Sequence, residues 1–274
     1  MGDLSHSNLL LVGCGKMGGA MLRGWLARGM RPGNAVAVEP QAEALGDLAG
    51  SGIVHVAQPA AIAKNFSPGV LVLAVKPQFM DEAINHYAHF IRPEVLVLSI
   101  AAGKTIAYFR QHLGAKAAIV RAMPNTPAAI GRGISVAVAD VAASTAQRDL
   151  AETLLAACGE VAWVENEDLI NPVTALSGGG PAYVFLLMEA MAEAGRRAGL
   201  PADLATRLAR VTVSGAGELA RLSGETAAQL RQAVTSPKGT TLEALKILMA
   251  DDGIQPLFDR AIAAATRRSR ELAS

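Results

Sequence analysis

Leu9-Leu10-Leu11-Val12-Gly13-Cys14-Gly15-Lys16-Met17-Gly18-Gly19-Ala20 is the stretch on which the reading of the whole chain turns. A short apolar run, too brief for a helix and free of polar interruptions, reads as a strand buried on both faces. A glycine loop follows it directly, and residues 18–28 then repeat with helical periodicity. Gly-x-Gly-x-x-Gly between a strand and a helix is the fingerprint of a dinucleotide site. Each glycine has its own reason: Gly13 for the tight turn, Gly15 to let the backbone approach a pyrophosphate, and Gly18 for close packing of helix on strand. The whole loop, Gly13, Cys14, Gly15, Lys16, Met17 and Gly18, is therefore expected to bind the cofactor.

Outward from this loop, apolar runs at residues 35–38, 70–75, 95–100 and 118–121 read as further buried strands separated by amphipathic stretches. That alternation predicts a doubly wound parallel sheet. Candidate strands at 134–139 and 160–164 flank a helix over 144–158 and complete the first domain near residue 165. Beyond Ser177-Gly178-Gly179-Gly180-Pro181 no strand pattern returns, and helices are expected over 182–198, 201–222, 225–234, 241–249 and 256–272. The fold class is thus α/β, with an N-terminal Rossmann-type domain over residues 1–165 and an all-α domain over 166–274. Tyr183, Val184, Phe185, Leu186, Leu187, Met188, Ala190 and Met191 make the first of these helices apolar nearly all round. A small helical domain cannot cover such a helix alone, so a homodimer through the C-terminal helices is expected, with assembly beyond a dimer left open.

Composition narrows the function classes. With 274 residues, 51% of them hydrophobic, the chain can bury a substantial core. A formal net charge of +1 and 4% aromatics give no footprint for nucleic acid. The two cysteines, Cys14 and Cys158, are far apart and form no metal-ligand pattern, which suits a reducing compartment. Met1-Gly2-Asp3-Leu4-Ser5-His6 does not read as a targeting segment, and Glu189 interrupts the most apolar helix, so a soluble, cytoplasmic protein is expected.

The remaining candidate residues fall at the carboxyl ends of the predicted strands and in one C-terminal turn. Glu39 ends the second strand, where a carboxylate binds the ribose diol of NAD and repels the extra phosphate of NADP; NADH is the expected preference. Ala74-Val75-Lys76-Pro77 must leave the sheet at Pro77 and is expected beside the dinucleotide. In Met123-Pro124-Asn125-Thr126-Pro127 two prolines fix the backbone, and Asn125 offers donors and an acceptor to a nicotinamide or a substrate. The turn Thr235-Ser236-Pro237-Lys238-Gly239-Thr240-Thr241 breaks one helical pattern and opens another, which suits a small anion. Thr240-Thr241-Leu242-Glu243 also fits a capping box, in which Thr240 would satisfy its own helix and Thr241 would keep the freer hydroxyl. His86 and His89, beside Asp81 and Glu82, read as a surface helix, and no metal is expected. No serine-histidine-aspartate order or nucleophile elbow is present, so covalent catalysis is not expected.

Taken in order, the 13–18 loop, Ala74-Val75-Lys76-Pro77-Gln78, Met123-Pro124-Asn125-Thr126-Pro127, Leu176-Ser177-Gly178-Gly179-Gly180-Pro181-Ala182-Tyr183 and Ser236-Pro237-Lys238-Gly239-Thr240-Thr241 resemble pyrroline-5-carboxylate reductase over nearly the whole chain. The resemblance implies reduction of 1-pyrroline-5-carboxylate to L-proline with NAD(P)H, the last step of proline biosynthesis, by a Rossmann domain joined to a helical dimerisation domain. It implies substrate contacts at Ser236, Gly239, Thr240 and Thr241, with Thr241 near the ring nitrogen, and a turn that faces the cofactor of the partner subunit. It places Ser177 in the floor of the pocket and Glu167 toward the substrate end. Two positions depart from the family: Lys238 stands where glycine is usual, and Gly179 where serine or a similar residue is usual. A reductase of another cyclic imine carboxylate, or a dinucleotide-binding regulatory protein without catalysis, are the alternatives.

Overall fold

The computed structural model describes residue 4 and residues 7–273; most of the N-terminal stretch read above for targeting lies outside the described residues. The first unit runs β1 (Leu9–Val12), α1 (Lys16–Ala27), β2 (Ala35–Val38), β3 (Val54–Val56), β4 (Val70–Leu73), α2 (Met80–Ile84), β5 (Leu96–Ser99), α3 (Ile106–Leu113), β6 (Ala118–Met123), β7 (Gly133–Ala139), α4 (Thr145–Ala156), β8 (Gly159–Trp163) and α5 (Ile170–Val173). These strands form one eight-stranded sheet in the order β3-β2-β1-β4-β5-β6-β7-β8. All pairings are parallel except β6 with β7, which is antiparallel in the register Val120↔Ala139 to Met123↔Val136. The expected parallel sheet therefore carries one reversed junction. The link between β6 and β7 is too short for the helical crossover a parallel connection needs.

Both faces of the sheet are covered, as the unbroken apolar strands require. On one face Leu9 and Leu11 pack with Met21, Leu22, Trp25 and Leu154; on the other Leu10 and Val12 pack with Met80, Tyr87, Phe109 and Ile119. Trp25, fully buried, donates its indole N–H to the Leu154 carbonyl at 2.9 Å and so ties α1 to α4. α4 starts from a capping box in which Ser144 and Gln147 satisfy each other's backbone N–H groups.

The chain divides into two compact units after Gly178, and residues 265–273 belong with the first. Ile170, fully buried, packs with Met123, Val136 and Val138, which explains why residues 167–178 stay with the sheet. The chain's last residues do so through Ser269, whose hydroxyl donates to Asn171 Oδ1 at 2.9 Å in a buried contact.

The second unit, Gly179–Ala264, contains α6 (Gly180–Arg197), α7 (Ala202–Leu222), α8 (Ala227–Ala233), α9 (Thr240–Leu248) and most of α10 (Ile254–Ala273). Ala205 and Ala209 of α7 are buried, and a Cβ on Gly195 would stand 3.4 Å from that of Ala205, so small residues let α6 and α7 approach closely. No residue of α6 is buried within one chain. Phe185 is 57% exposed and Leu186 63%, beside Val184 and Leu187, leaving an apolar surface for a second molecule to cover. No described helix is long and apolar enough to cross a membrane.

Candidate active site

The glycine loop leaves β1 at the carboxyl edge of the sheet, where β1 lies between β2 and β4 and the strand order reverses. Ligands of open α/β sheets bind at that crevice. Gly13 has φ +90°, and a Cβ there would sit 2.9 Å from the Ala74 carbonyl oxygen and 3.0 Å from Val75 Cγ1. A Cβ on Gly18 would overlap the Gly13 carbonyl oxygen. Gly15 is different: a Cβ there would meet nothing within 4 Å. Protein closes in the first and third glycines and leaves the middle one facing open space, which fits a pyrophosphate. Gly15 is also the cap residue of α1 and no side chain caps the helix, so its leading N–H groups are available to an anion.

Glu39 is pinned beside this loop. Its Oε2 accepts the Cys14 N–H at 2.9 Å and its Oε1 the Gln41 N–H at 3.1 Å, while His55 Nε2 lies 2.8 Å from its carbonyl oxygen. Cys14 is fully buried; burial, and after it the Glu39 charge, push its thiol up to about 11, with Arg23 acting in the opposite sense. The side chain is a protonated space-filler, not a nucleophile. β4 ends at Leu73, and the Ala74 N–H donates to the Val12 carbonyl at 2.8 Å. Ala74 and Val75 are half-buried, Lys76 is exposed, and Pro77 opens a short 3-10 turn.

The structure joins Asn125 to Ser177. Asn125 Oδ1 accepts the Ile134 N–H at 3.0 Å and its Nδ2 donates to Ser177 Oγ at 3.3 Å, so one acceptor site and one donor of the amide expected to serve a nicotinamide or a substrate orient it within the protein. Glu167 is held through one of its two oxygens. Its Oε1 accepts both the Ile106 N–H and Arg121 Nη1, each at 2.8 Å. Arg121, 1% exposed, is absent from the sequence-derived site. Its signal was a charge inside an otherwise apolar stretch, hidden because the expected strand stopped at residue 121; β6 in fact continues to Met123.

The 236–241 turn lies in the second unit and lacks the expected capping box. Gly239 takes the cap position of α9 with no side-chain hydrogen bond, and Thr240 is already helical. Glu243 does not reach back, because its Oε1 accepts Lys246 Nζ at 2.7 Å. Intrahelical bonding begins with Leu242 and Glu243 donating to the Gly239 carbonyl, which leaves the N–H groups of Thr240 and Thr241 ahead of it. A Cβ on Gly239 would overlap Ser236 Oγ in its present rotamer, so glycine lets that hydroxyl lie against the start of α9. Lys238 has φ +61° and is the single non-glycine residue with positive φ among the described residues. Ser236, Thr240 and Thr241 are exposed.

Comparison with known proteins covers both units. A family model for pyrroline-5-carboxylate reductase dimerisation matches residues 167–272, and one for NADP oxidoreductase, coenzyme F420-dependent, matches residues 8–103. The chain is 40% identical to the pyrroline-5-carboxylate reductase of Pseudomonas aeruginosa over 98% of both chains. Among solved structures it is similar to a pyrroline-5-carboxylate reductase from Coxiella burnetii, with TM-score 0.90, 36% identity and coverage of 98% of this chain and 99% of that one. It is also similar to Plasmodium falciparum pyrroline carboxylate reductase with NADP bound, with TM-score 0.84, 25% identity and coverage of 99% and 100%.

Proposed function

Because the chain belongs to the pyrroline-5-carboxylate reductase family, we propose that it reduces 1-pyrroline-5-carboxylate to L-proline, the last step of proline biosynthesis, as a cytoplasmic homodimer. The observation that carries this reading is the glycine loop, in which only Gly15 faces open space, within a chain that matches the family from end to end. Bound NAD(P)H supplies the hydride. The residues that hold it are Gly13, Cys14, Gly15, Lys16, Met17 and Gly18 at the pyrophosphate, Glu39 at the ribose and the 74–77 segment alongside. Glu39 makes NADH the better donor, since a carboxylate accepts from a free 2′-hydroxyl and repels a 2′-phosphate.

The C=N bond of the substrate is most electrophilic when protonated, so the protein's task is to bind an iminium carboxylate, orient its ring carbon and exclude water. Backbone N–H groups at Thr240 and Thr241, with the Ser236 hydroxyl, hold the carboxylate at the positive end of α9. The Thr241 hydroxyl hydrogen-bonds the ring nitrogen; it is too weak an acid to be the proton source, and solvent supplies the proton. Ser177 shapes the floor of the pocket. The turn of one subunit serves the cofactor of its partner. Glu167 has a structural part, because its Oε1 accepts from Arg121 and Ile106, and its place toward the substrate end rests on the family resemblance alone.

The test is loss of NADH absorbance on adding 1-pyrroline-5-carboxylate, with six-membered piperideine carboxylate in parallel. No oxidation with either substrate sinks the reading, and faster turnover of the six-membered ring reassigns the substrate.

A further inference from the structure

Arg121 sits in β6, a strand whose every residue is buried, and lines up with Ser99 of β5 and Val138 of β7. Among the described residues its one polar side-chain partner is Glu167, and two of its guanidinium nitrogens, Nε and Nη2, find no acceptor there. A buried guanidinium so incompletely matched is a poor stabiliser, since an apolar side chain of similar length avoids the desolvation cost. The pair is better explained by what it holds in place. One oxygen of Glu167 ties Arg121 on β6, the first N–H of α3 and the start of residues 167–178 to a single point. At the other end of that segment Ser177 is gripped by Asn125, from the loop that continues β6. Between the two, Ile170 is seated against Met123 of the same strand.

We propose that Arg121 is a positioning residue: through Glu167 it anchors the 167–178 segment to β6, and the segment delivers Ser177 to the reacting centre in a fixed orientation. The proposal rests on the reductase reading for the identity of that centre. It separates two ends of one clamp. Asn125 holds Ser177 directly through one long hydrogen bond, and Arg121 sets the path by which Ser177 arrives.

The experiment compares wild type with Arg121→Met, Arg121→Lys and Glu167→Gln by melting temperature, hydrogen exchange of residues 174–178, NADH affinity and kcat against KM. It also measures the isotope effect with NADH deuterated at the transferred hydrogen. Arg121→Met is expected to remain folded and to bind NADH as wild type does, while exchange at 174–178 quickens. Its kcat should fall about ten- to a hundredfold, with a larger isotope effect, because a misplaced floor slows the chemical step and not cofactor binding. Arg121→Lys should recover part of the loss by restoring a charge to Glu167. Wild-type exchange at 174–178 together with wild-type kcat in a folded Arg121→Met protein overturns the proposal. If that variant does not fold, Glu167→Gln decides by the same measurements, since it keeps an acceptor for the Ile106 N–H and removes the charge. Wild type without pyrroline-5-carboxylate turnover overturns the reductase reading instead, and exchange at 174–178 then judges the anchoring by itself.

Discussion

The Cys14 N–H donates to Glu39 Oε2 at 2.9 Å, so the carboxylate that ends β2 is built into the dinucleotide loop rather than left on the surface. The same carboxylate also accepts from Gln41, which fixes both of its oxygens in direction. A group held this firmly presents its charge at a defined place and loses little entropy when a ribose hydroxyl reaches it.

Glu39→Ser should therefore move the cofactor preference toward NADPH. Removing a charged acceptor for the 2′-hydroxyl suggests a change of about one to two powers of ten in the ratio of kcat/KM for NADH over NADPH. Steady-state kinetics with both cofactors checks it. A wild type that prefers NADPH, with the ratio unmoved by the substitution, reduces Glu39 to a structural clasp for the loop.

Neither thiol should react readily in the native protein. Cys14 and Cys158 are both buried, with burial raising each to about 11. At pH 8 the thiolate fraction is then on the order of one in a thousand, and reaction with Ellman's reagent should be slow until the protein is unfolded or the pH approaches that range. Rapid labelling of Cys14 near neutrality shows that the loop opens.

What was legible in the sequence and what was not divides along physical lines. Leu9–Val12 and Ala35–Val38 were readable to the residue because each apolar run stops at Gly13 or Glu39, whereas apolar residues continue past Leu73 and Ser99 and made those strands read too long. Val54–Val56 escaped because it is short, partly exposed and centred on His55, so neither alternation nor an apolar run marks it. The reversed direction of β7 depends on the length of a connection, not on the strand's own residues. Thr240-Thr241-Leu242-Glu243 matched a capping box in pattern, yet Gly239 took the cap and Lys246 took Glu243. The box that does form in that region, Thr226 with Gln229, uses the same chemistry without such competitors. The Arg121–Glu167 pair spans 46 residues, and nothing local announces which carboxylate a buried arginine will meet.

The exposed apolar face of α6 predicts that dimerisation is obligatory. Leu186→Asp should weaken self-association by about two powers of ten or more in the dissociation constant, because an unpaired charge in an apolar interface costs well over about 3 kcal/mol. Analytical ultracentrifugation over a dilution series measures this. A wild-type monomer that is folded and fully active at low concentration refutes it.

Lys238, at φ +61°, should be strained. The left-handed conformation costs a side-chain-bearing residue roughly 1–2 kcal/mol, and glycine returns roughly 0.5–1 kcal/mol of that through unfolded-state entropy, so Lys238→Gly should stabilise by about 0.5–1 kcal/mol. Lys238→Asn, which tolerates the same conformation, removes the charge without relieving as much strain. If the ammonium assists carboxylate binding, KM for pyrroline-5-carboxylate should rise about two- to fivefold in both variants, and the difference should shrink in high salt. Unchanged KM with raised stability leaves Lys238 as a purely conformational departure. A fall in stability for Lys238→Gly contradicts the strain itself.

Thr241 and Thr240 test the centre of the mechanism. Thr241→Ala should lower kcat/KM for pyrroline-5-carboxylate by roughly 1.5–3 kcal/mol of transition-state stabilisation, about one to two powers of ten, since the lost hydrogen bond is to a charged nitrogen. NADH affinity should change little. A capping Thr240 would have cost about 1 kcal/mol on truncation, but Gly239 holds the cap position, so Thr240→Ala should leave stability within about 0.5 kcal/mol of wild type. Its N–H remains after truncation, so carboxylate binding through the backbone should survive. If Thr240→Ala abolishes turnover in a folded protein while Thr241→Ala does not, the two hydroxyls have exchanged roles. If neither substitution affects turnover, the 236–241 turn does not bind the substrate through side chains. The backbone N–H groups of α9, or another site altogether, must then be tested by placing proline at Thr241, which deletes a donor without adding charge.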